Sequence, residues 1–191
     1  GRMRTPLFLL LLFGLGLNKL IAQGDGPEKT TQGTGPVSGN FQVLWQSYSE
    51  DERIGAIVPP EKTGYNAYGN LRYNQGGFSA GFRYESYLNA VLGFPGRFKG
   101  SGIGYRFARY ASPSQNVDVT IGNFYEQFGS GIVLRSYEER ALGIDNAMDG
   151  VRIILRPIEG IQIKTIYGKQ RFDFDDGLIN GDGIVRGIDG D

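Results

Sequence analysis

The sequence predicts an antiparallel transmembrane β-barrel of the outer-membrane type, because long alternating strands, an unusual composition and a signal-like N-terminus occur together. The clearest hairpin is Tyr65–Leu88, in which two alternating arms of apolar and polar side chains flank the turn Asn74–Gly77. Arms of about 9–11 tilted residues are long enough to cross a bilayer. The 191 residues include 31 glycines and 11 tyrosines and are 40% hydrophobic. This composition suits strands with one lipid face and one wet face.

The first residues are typical of a secretory signal. Arg4 precedes the apolar run Pro6–Leu17, and Ala22 is a small residue suited to cleavage before Gln23. The run is shorter than the roughly 20 residues of a spanning helix. We therefore expect a signal peptide at 1–22, with two residues upstream of its methionine, a flexible lead at 23–36, and the N-terminal part of an outer-membrane β-barrel at 37–191.

The absence of two residue types excludes several kinds of chemistry. The chain has no histidine and no cysteine, so Ser-His-Asp hydrolases, thiol catalysis, disulfides and thiolate metal sites are excluded. The 20 basic and 20 acidic residues cancel and are scattered, which disfavours nucleic acid as a partner. We expect no enzymatic activity and no cofactor, with outer-membrane lipid and small solutes as the partners.

Strands can be placed along the rest of the chain from the same alternation. We expect Phe41, Val43 and Trp45 to share one face of the first strand. The strand after the hairpin is expected to carry Ile103, Tyr105 and Phe107 on its apolar face. In chain order the predicted strands are Val37–Ser49, the two arms of the hairpin, Gly102–Tyr110, Val117–Tyr125, one around Val151–Leu155 and one around Ile161–Tyr167.

The connections between these strands alternate in length, as they do in bacterial barrels. This alternation predicts short periplasmic turns and a periplasmic N-terminus. Ile184–Asp191 is the expected beginning of an eighth strand, and we expect the chain to supply about seven strands and this beginning to a larger barrel. The long connections are 50–63, 90–101, 126–149 and 172–182, and the short ones are 74–77, 111–116 and 157–160.

A soluble all-β protein would also alternate and also follow a signal peptide. Its apolar face would be a packed core rich in Val, Ile and Leu, whereas tyrosine and glycine intrude on this face. Tyr65, Tyr73, Phe78 and Tyr84 lie near strand ends, where aromatic girdles of membrane barrels are found. The pattern therefore favours the membrane barrel.

The segment after the fifth strand carries a family resemblance. Its motifs are Tyr125–Gly129, Gly131–Glu138, Leu142–Asn146 and Gly150–Val151. They resemble a family of uncharacterised outer-membrane barrel proteins from Bacteroidota, and the resemblance extends from the first strand to about Arg171. It implies a signal-bearing barrel longer than this chain, and it brings no activity or catalytic residues.

Charged residues predict either the lining of a passage or an interior filled by charges that pair across neighbouring strands. Alternation places Arg72, Arg83, Glu85, Arg106 and Arg152 on the wet face, together with Lys164 and Asp118. A second group lies in the long connection after the fifth strand. There we expect Arg135 to reach Glu138 and Glu139 within a helical turn, and the segment to fold inward as a constriction or to pack on the sheet. The lumen candidates of this connection are Glu126, Arg135, Glu138, Glu139 and Arg140.

Three hypotheses of function remain open from the sequence. The first is a porin-like passage for small solutes, resting on the wet face and the charged connection. The second is a non-conducting scaffold of the outer membrane, whose lumen Tyr125–Asn146 would fill. The third is a secreted soluble β-sheet binding protein. The acidic stretch Asp173–Asp191 adds the alternatives of a calcium site and of an ordinary Asp- and Gly-rich loop.

Overall fold

The computed structural model describes residues 36–53, 55 and 57–191, whose regular structure is β-strands and one short 3-10 turn. The predicted signal peptide and the predicted lead, apart from Pro36, lie outside the described residues. Within the described part, no helix combines the length and apolarity needed to cross a membrane.

Eight of ten strands form a single antiparallel sheet, in the order β1-β2-β3-β4-β5-β8-β9-β10. The other two, β6 and β7, pair only with each other inside the connection between β5 and β8. The bounds are β1 Val37–Ser47, β2 Thr63–Gln75, β3 Phe78–Leu88, β4 Phe98–Ala111, β5 Val117–Phe124, β6 Glu138–Glu139, β7 Ile144–Asp145, β8 Met148–Leu155, β9 Ile163–Asp175 and β10 Leu178–Gly190. The predicted all-β, antiparallel fold class is confirmed at this level.

The two faces of the sheet are exposed in the reverse of the order usual in soluble proteins: the apolar face is exposed and the polar face is buried. On one face, here the outer face, apolar side chains are exposed, with Phe41 at 73% and Ile121 at 58% of their surface. On the other, the inner face, Glu85 and Thr120 are 0% and 3% exposed. Directly opposed residues share a face, and the ladders carry the same division from β1 to β10. The outer face includes Phe41, Val43, Trp45, Leu71, Phe78, Phe82, Tyr84, Tyr110, Ile121, Leu155, Tyr167 and Ile188.

A bulge at Gly104 interrupts the alternation of β4. Tyr84 opposes Ile103, whereas the preceding residue of β3, Arg83, opposes Tyr105. Gly104 is therefore an extra residue without an opposed partner. Because side chains alternate with a period of two, one extra residue exchanges the two faces for the rest of the strand.

The bulge overturns the predicted faces of β4. Tyr105 and Phe107 were expected on the apolar face, but Tyr105 lies on the inner face and stacks on Tyr125 with ring centroids 5.6 Å apart. Arg106 was expected in the lumen, but it opposes Phe82 and lies on the outer face. Both predictions are wrong, because they extended a strict alternation through a strand that contains one extra residue.

The last hairpin corrects a second prediction. The chain from Phe172 to Asp182 was expected to be a long connection, but β9 continues to Asp175 and β10 begins at Leu178. Asp176 takes a positive φ of 53°, which Asp tolerates in tight turns. The predicted beginning of a strand is a complete strand paired along β9. Aspartate and glycine in this stretch indicated a loop, whereas its apolar residues pair across the ladder.

The long strands β4 and β9 pair with each other beyond the ends of the shorter strands β5 and β8. β5 and β8 are shorter than β4 and β9, and beyond their ends β4 and β9 pair in parallel at Phe98 with Phe174. Tyr68 and Tyr87 complete an aromatic cluster there, and all four side chains are buried. Tyr87 lies 5.2 Å from Phe174 and 5.4 Å from Phe98, centroid to centroid. This cluster closes the inner face at the end of the sheet that carries the long connections.

Candidate functional site

The connection between β5 and β8 folds back over the inner face. We call Tyr125–Ala147 the strap. Its own hydrogen bonds organise it: the N–H of Ser136 donates to the carbonyl of Glu126 at 2.9 Å, and the N–H of Phe128 donates to that of Leu134 at 3.0 Å. β6 and β7 flank a 3-10 turn at Arg140–Leu142. The strap is thus an ordered element that can present its side chains to the sheet.

Glu85 is the centre of the contacts between strap and sheet. Its carboxylate accepts two hydrogen bonds from Arg171, at 3.0 and 2.7 Å, and one from the Nε of Arg83 at 2.7 Å. The hydroxyl of Tyr87 donates a fourth at 2.7 Å. All side-chain oxygens of this buried acid are therefore engaged, which is the condition under which a charge is tolerated out of water.

The two arginines extend from the sheet to the strap. Arg83 pairs through Nη1 with Glu138 and through Nη2 with Asp145, both at 2.7 Å. Arg171 pairs through Nη1 with the same Asp145 oxygen at 2.7 Å. Bidentate and shared guanidinium bonds of this kind restrict geometry strongly. The strap is consequently tied to β3 and β9 by ion pairs with little access to water.

Arg140 completes this cluster, which we call the central ion network: Arg83, Glu85, Glu138, Arg140, Asp145 and Arg171. Arg140 pairs with Glu138 at 2.9 Å and donates to Gln42 of β1. Burial lowers the pKa of Arg140, but the bonds to Glu138 outweigh it, so its pKa is raised overall. Three cations meet three carboxylates, and the network is formally neutral.

Burial also raises the pKa values of two groups of the strap, Asp145 and Tyr125. The pKa of Asp145 is raised above its usual value chiefly because the carboxyl is desolvated, and the two arginines only partly oppose this. Burial likewise raises the pKa of Tyr125, whose hydroxyl donates to Asp145 at 3.0 Å. Tyr125 therefore remains a hydrogen-bond donor to this carboxylate across the physiological pH range.

A glycine makes room for the buried acid. A Cβ placed on Gly104 would lie 2.2 Å from the Cδ of Glu85. The carbonyl of Gly104 also accepts a hydrogen bond from Arg171 at 3.3 Å. The bulge in β4 thus has two effects, since it reverses the faces of the strand and brings a residue without a side chain against the carboxylate.

A second cluster lies on the inner face, closer to the short turns. Glu126 of the strap is 3.3 Å from Arg152 and 3.4 Å from Lys164. Asp118 pairs with Arg109 at 2.7 Å and lies 3.9 Å from Arg152. Lys164 also lies 3.8 Å from Asp189. We call these six residues the lower ion network, in which three cations again face three carboxylates.

The residues predicted to line a lumen are distributed among several surroundings. The structure brings Arg83, Glu85, Glu138 and Arg140 together in the central ion network and Glu126 and Arg152 in the lower one. The remaining four are elsewhere. Arg106 is on the outer face, Arg72 lies over the ring of Phe107, Arg135 lies over the ring of Tyr137, and Glu139 caps the 3-10 turn through the N–H of Ala141.

The helical turn expected around Arg135 does not form. Arg135 bridges to Gln127 in an extended conformation, and Glu138 is neutralised from the sheet by Arg83. Local spacing suggested a partner three residues away. Arg140, two positions on, also pairs with Glu138, whereas the partner of Glu138 in the sheet is 55 positions away, a separation that local spacing does not reveal.

Arg171 was missed in the sequence. Its position after Tyr167 and Lys169 in β9 indicates the outer face, yet its side chain is 2% exposed on the inner face. A register irregularity between β9 and β10 lies beside it, since Asn180 opposes Arg171 while Ile184 opposes Lys169. Asp145 was likewise not among the residues predicted to line a lumen. The sequence signal that could have identified Arg171 was its position beside an Asp- and Gly-rich stretch.

The acidic stretch after β9 does not assemble a calcium site. Asp175 pairs with Lys99 at 2.9 Å, and Asp176 accepts from the N–H of Ser101 at 2.9 Å. The hairpin spreads its carboxylates along two strands and a turn. Among the described residues, no group of three or more acidic side chains is arranged to hold a metal ion.

Comparisons with known proteins give one match. A family model described as "Family of unknown function (DUF6029)" matches residues 3–191. No curated protein and no solved structure matches.

Proposed function

The chain belongs to the DUF6029 family of unknown function, and from its geometry we propose that it is an integral outer-membrane protein with a constricted, porin-like passage for small solutes. The observation that carries the proposal is the inverted polarity of the sheet. A sheet whose apolar face is exposed and whose charged face is buried suits a lipid exterior and a polar interior. The resemblance of the strap motifs to Bacteroidota outer-membrane proteins points in the same direction.

The exposed apolar face supports a lipid neighbour on physical grounds. Soluble proteins rarely leave a contiguous apolar patch beyond a few hundred Å² exposed. Here the exposed residues follow every second position of successive strands, including Leu71 at 44%, Phe82 at 43% and Tyr167 at 53%. A binding protein secreted into water would need this face covered.

The strap supports a constriction. It crosses the inner face and is held there by Glu138 and Asp145 through guanidinium groups of the sheet. Because its charges are neutralised locally, it can narrow a passage without a strong preference for either sign of ion. We therefore expect small conductance and weak charge selectivity.

Conductance in planar bilayers tests the proposal. The full-length protein is expected to give discrete, small channels. Glu138→Gln/Asp145→Asn removes the two strap carboxylates that pair with Arg83 and Arg171, and we expect larger and noisier conductance because the strap is released. Glu139→Gln is the matched control, since this nearby carboxylate is exposed and only caps the 3-10 turn. Absence of channels in the wild-type and double-variant proteins, both folded, would contradict the porin-like function.

One observation favours a second candidate. Glu85 and Arg171 are essentially inaccessible to water at the level of the network, which would suit a filled, non-conducting scaffold of the outer membrane. This candidate predicts that the folded protein resists extraction by alkaline carbonate and dissolves in detergent. It also predicts that neither the wild type nor the double variant conducts ions. Recovery of the protein in the aqueous fraction without detergent would contradict both membrane candidates and favour a soluble β-sheet protein.

A further inference from the structure

Four charged side chains lie together on the otherwise apolar outer face. They are Arg106 of β4, Asp149 of β8, Lys169 of β9 and Arg186 of β10, here the outer cation patch. Asp149 opposes Lys169, and Arg186 opposes Tyr167 beside it. Arg106 reaches Asp149 with Nη2 3.7 Å from Oδ2. The bulge at Gly104 brings Arg106 to this face.

The patch carries excess positive charge. Arg106, Lys169 and Arg186 provide three cations against the single carboxylate of Asp149, so the formal charge is +2. Asp149 is already engaged, because the Nδ2 of Asn180 donates to its Oδ2 at 2.8 Å and its side chain is only 17% exposed. A charge in contact with lipid tails is costly unless it reaches a polar or charged partner.

Apolar residues continue directly from the cations. Ile121, Val151, Tyr167 and Ile184 line an open groove of about 520 Å³ together with Arg106, Asp149 and Lys169. Gly122, Gly150 and Gly168 form its floor on three adjacent strands. The groove therefore offers cations at one end and aliphatic surface along the outward rows below them.

Asp149 and Lys169 lie on the outward row of β8 and β9 nearest the strap, and Arg186 lies one row further along, opposite Tyr167. Met148, next to Asp149, is the first residue of β8, and further along the ladder the outward residues are Val151, Ile153 and Leu155. In a bilayer this places Arg106 and Lys169 nearer the head groups than Val151, Ile153 and Leu155, which lie beside acyl chains.

We propose that the outer cation patch binds the phosphate of an anionic membrane lipid, with an acyl chain of that lipid running along β8 over Val151, Ile153 and Leu155. The inference rests on the proposed membrane location. Positive charge at the head-group level is complementary to a lipid phosphate, and each cation near such a surface contributes a several-fold gain in binding.

Lipid binding by the full-length protein in a neutral detergent tests the inference. The probes are phosphatidic acid, phosphatidylcholine with the same chains, and inorganic phosphate, with bound molecules counted by native mass spectrometry. We expect phosphatidic acid to bind preferentially. Lys169→Gln should weaken it about fivefold and Arg106→Gln/Lys169→Gln about twentyfold, because each removes one cation.

The control is Lys99→Gln, which removes an equal charge from an exposed side chain paired with Asp175 at the end of β4. This variant should bind phosphatidic acid as the wild type does. All variants are compared at equal folded fraction, measured by resistance to unfolding in dodecyl sulfate without heating.

The outcomes separate the inference from the proposed function. Equal binding of phosphatidic acid to the wild type and the double variant, with membrane extraction behaviour intact, overturns the lipid site and leaves the membrane protein standing. If inorganic phosphate binds as well as phosphatidic acid does, the lipid is overturned as the occupant. A protein that fractionates as soluble without detergent overturns both.

Discussion

Glu85 is a charged residue with no exposure to solvent, and its hydrogen-bond partners compensate the loss of water. Four hydrogen bonds from Arg83, Arg171 and Tyr87 replace water around its carboxylate. The arginines in turn depend on this acid and on the strap carboxylates. At the scale of residues, the site is a mutually compensated set, in which removal of one member leaves uncompensated charge on its neighbours.

Substitution of the central acid should be strongly destabilising. Glu85→Gln leaves two buried guanidinium groups short of one negative charge, and we expect the free energy of unfolding to fall by about 3–5 kcal/mol. Urea titration of the folded protein in detergent measures this. Glu61→Gln, an exposed acid of the β1–β2 connection, should change the value by less than about 0.5 kcal/mol. A loss for Glu85→Gln no larger than that of the control would contradict the role assigned to the network.

Substitution of Gly104, the glycine of the bulge, should also lower the stability of the protein. Gly104→Ala places a methyl group 2.2 Å from the Glu85 carboxyl carbon, so the acid must move away from Arg171. We expect a loss of about 1–3 kcal/mol in unfolding free energy. Gly96→Ala is the matched control, because a Cβ there would meet no atom within 4 Å. Equal stability of the two alanine variants would show that Glu85 can shift without cost.

At the scale of elements, the strap is attached to the inner face of the sheet at two places. Phe128 and Leu134 of the strap pack with Phe124, Met148 and Ile166 in an apolar cluster, while the ion pairs lie further along the segment. Gly187 of β10 allows this packing, since a Cβ there would lie 2.6 Å from the ring of Phe128. The strap is therefore held by an apolar contact as well as by charge.

A single methyl group on β10 should loosen the strap. Gly187→Ala forces the Phe128 ring to move, and we expect amide hydrogen exchange in the strap, for example at Ser136, to accelerate roughly tenfold. Hydrogen exchange with mass spectrometry reads this out. Gly190→Ala, three positions along the same strand with no atom within 4 Å of its Cβ, should leave exchange unchanged. Unchanged exchange in both variants would mean that the apolar contact does not hold the strap.

At the scale of the whole molecule, the sheet separates an apolar exterior from a charged interior. The two ion networks and the aromatic cluster fill the inner face, and the exposed apolar residues form the other. This division is the basis of the proposed membrane location. It implies that the same substitution should lower stability on the outer face and have little effect on stability in a solvated connection.

A pair of lysine substitutions tests this division. Ile121→Lys places a charge on the outer face, and we expect it to lower the stability of the membrane-inserted protein by about 2–4 kcal/mol. Ile57→Lys changes an isoleucine that is 94% exposed in the β1–β2 connection and should have little effect. Folding into lipid vesicles, followed by heat-dependent electrophoretic mobility, measures both. Comparable folding of the two variants would argue against a lipid-facing outer surface.

Much of the fold could be predicted from local pattern, because alternation is a property of neighbouring residues. The turn between β2 and β3, the outer positions of β1 to β3, and the inward Arg83, Glu85 and Arg152 all follow from a period of two. The site was predicted only in part. Its composition of arginines and carboxylates was expected, whereas Arg171 was not, and Arg106 was assigned to the wrong face.

The sequence by itself determined the all-β class, most strand positions and which face of each regular strand is apolar. The tertiary structure decided where that alternation breaks, at Gly104 and at Arg171, and which charges meet across the inner face. The physical reason is that a bulge exists only relative to a partner strand, and a buried ion pair only between residues that the sheet brings together. Both depend on pairing across the chain, which local periodicity does not record.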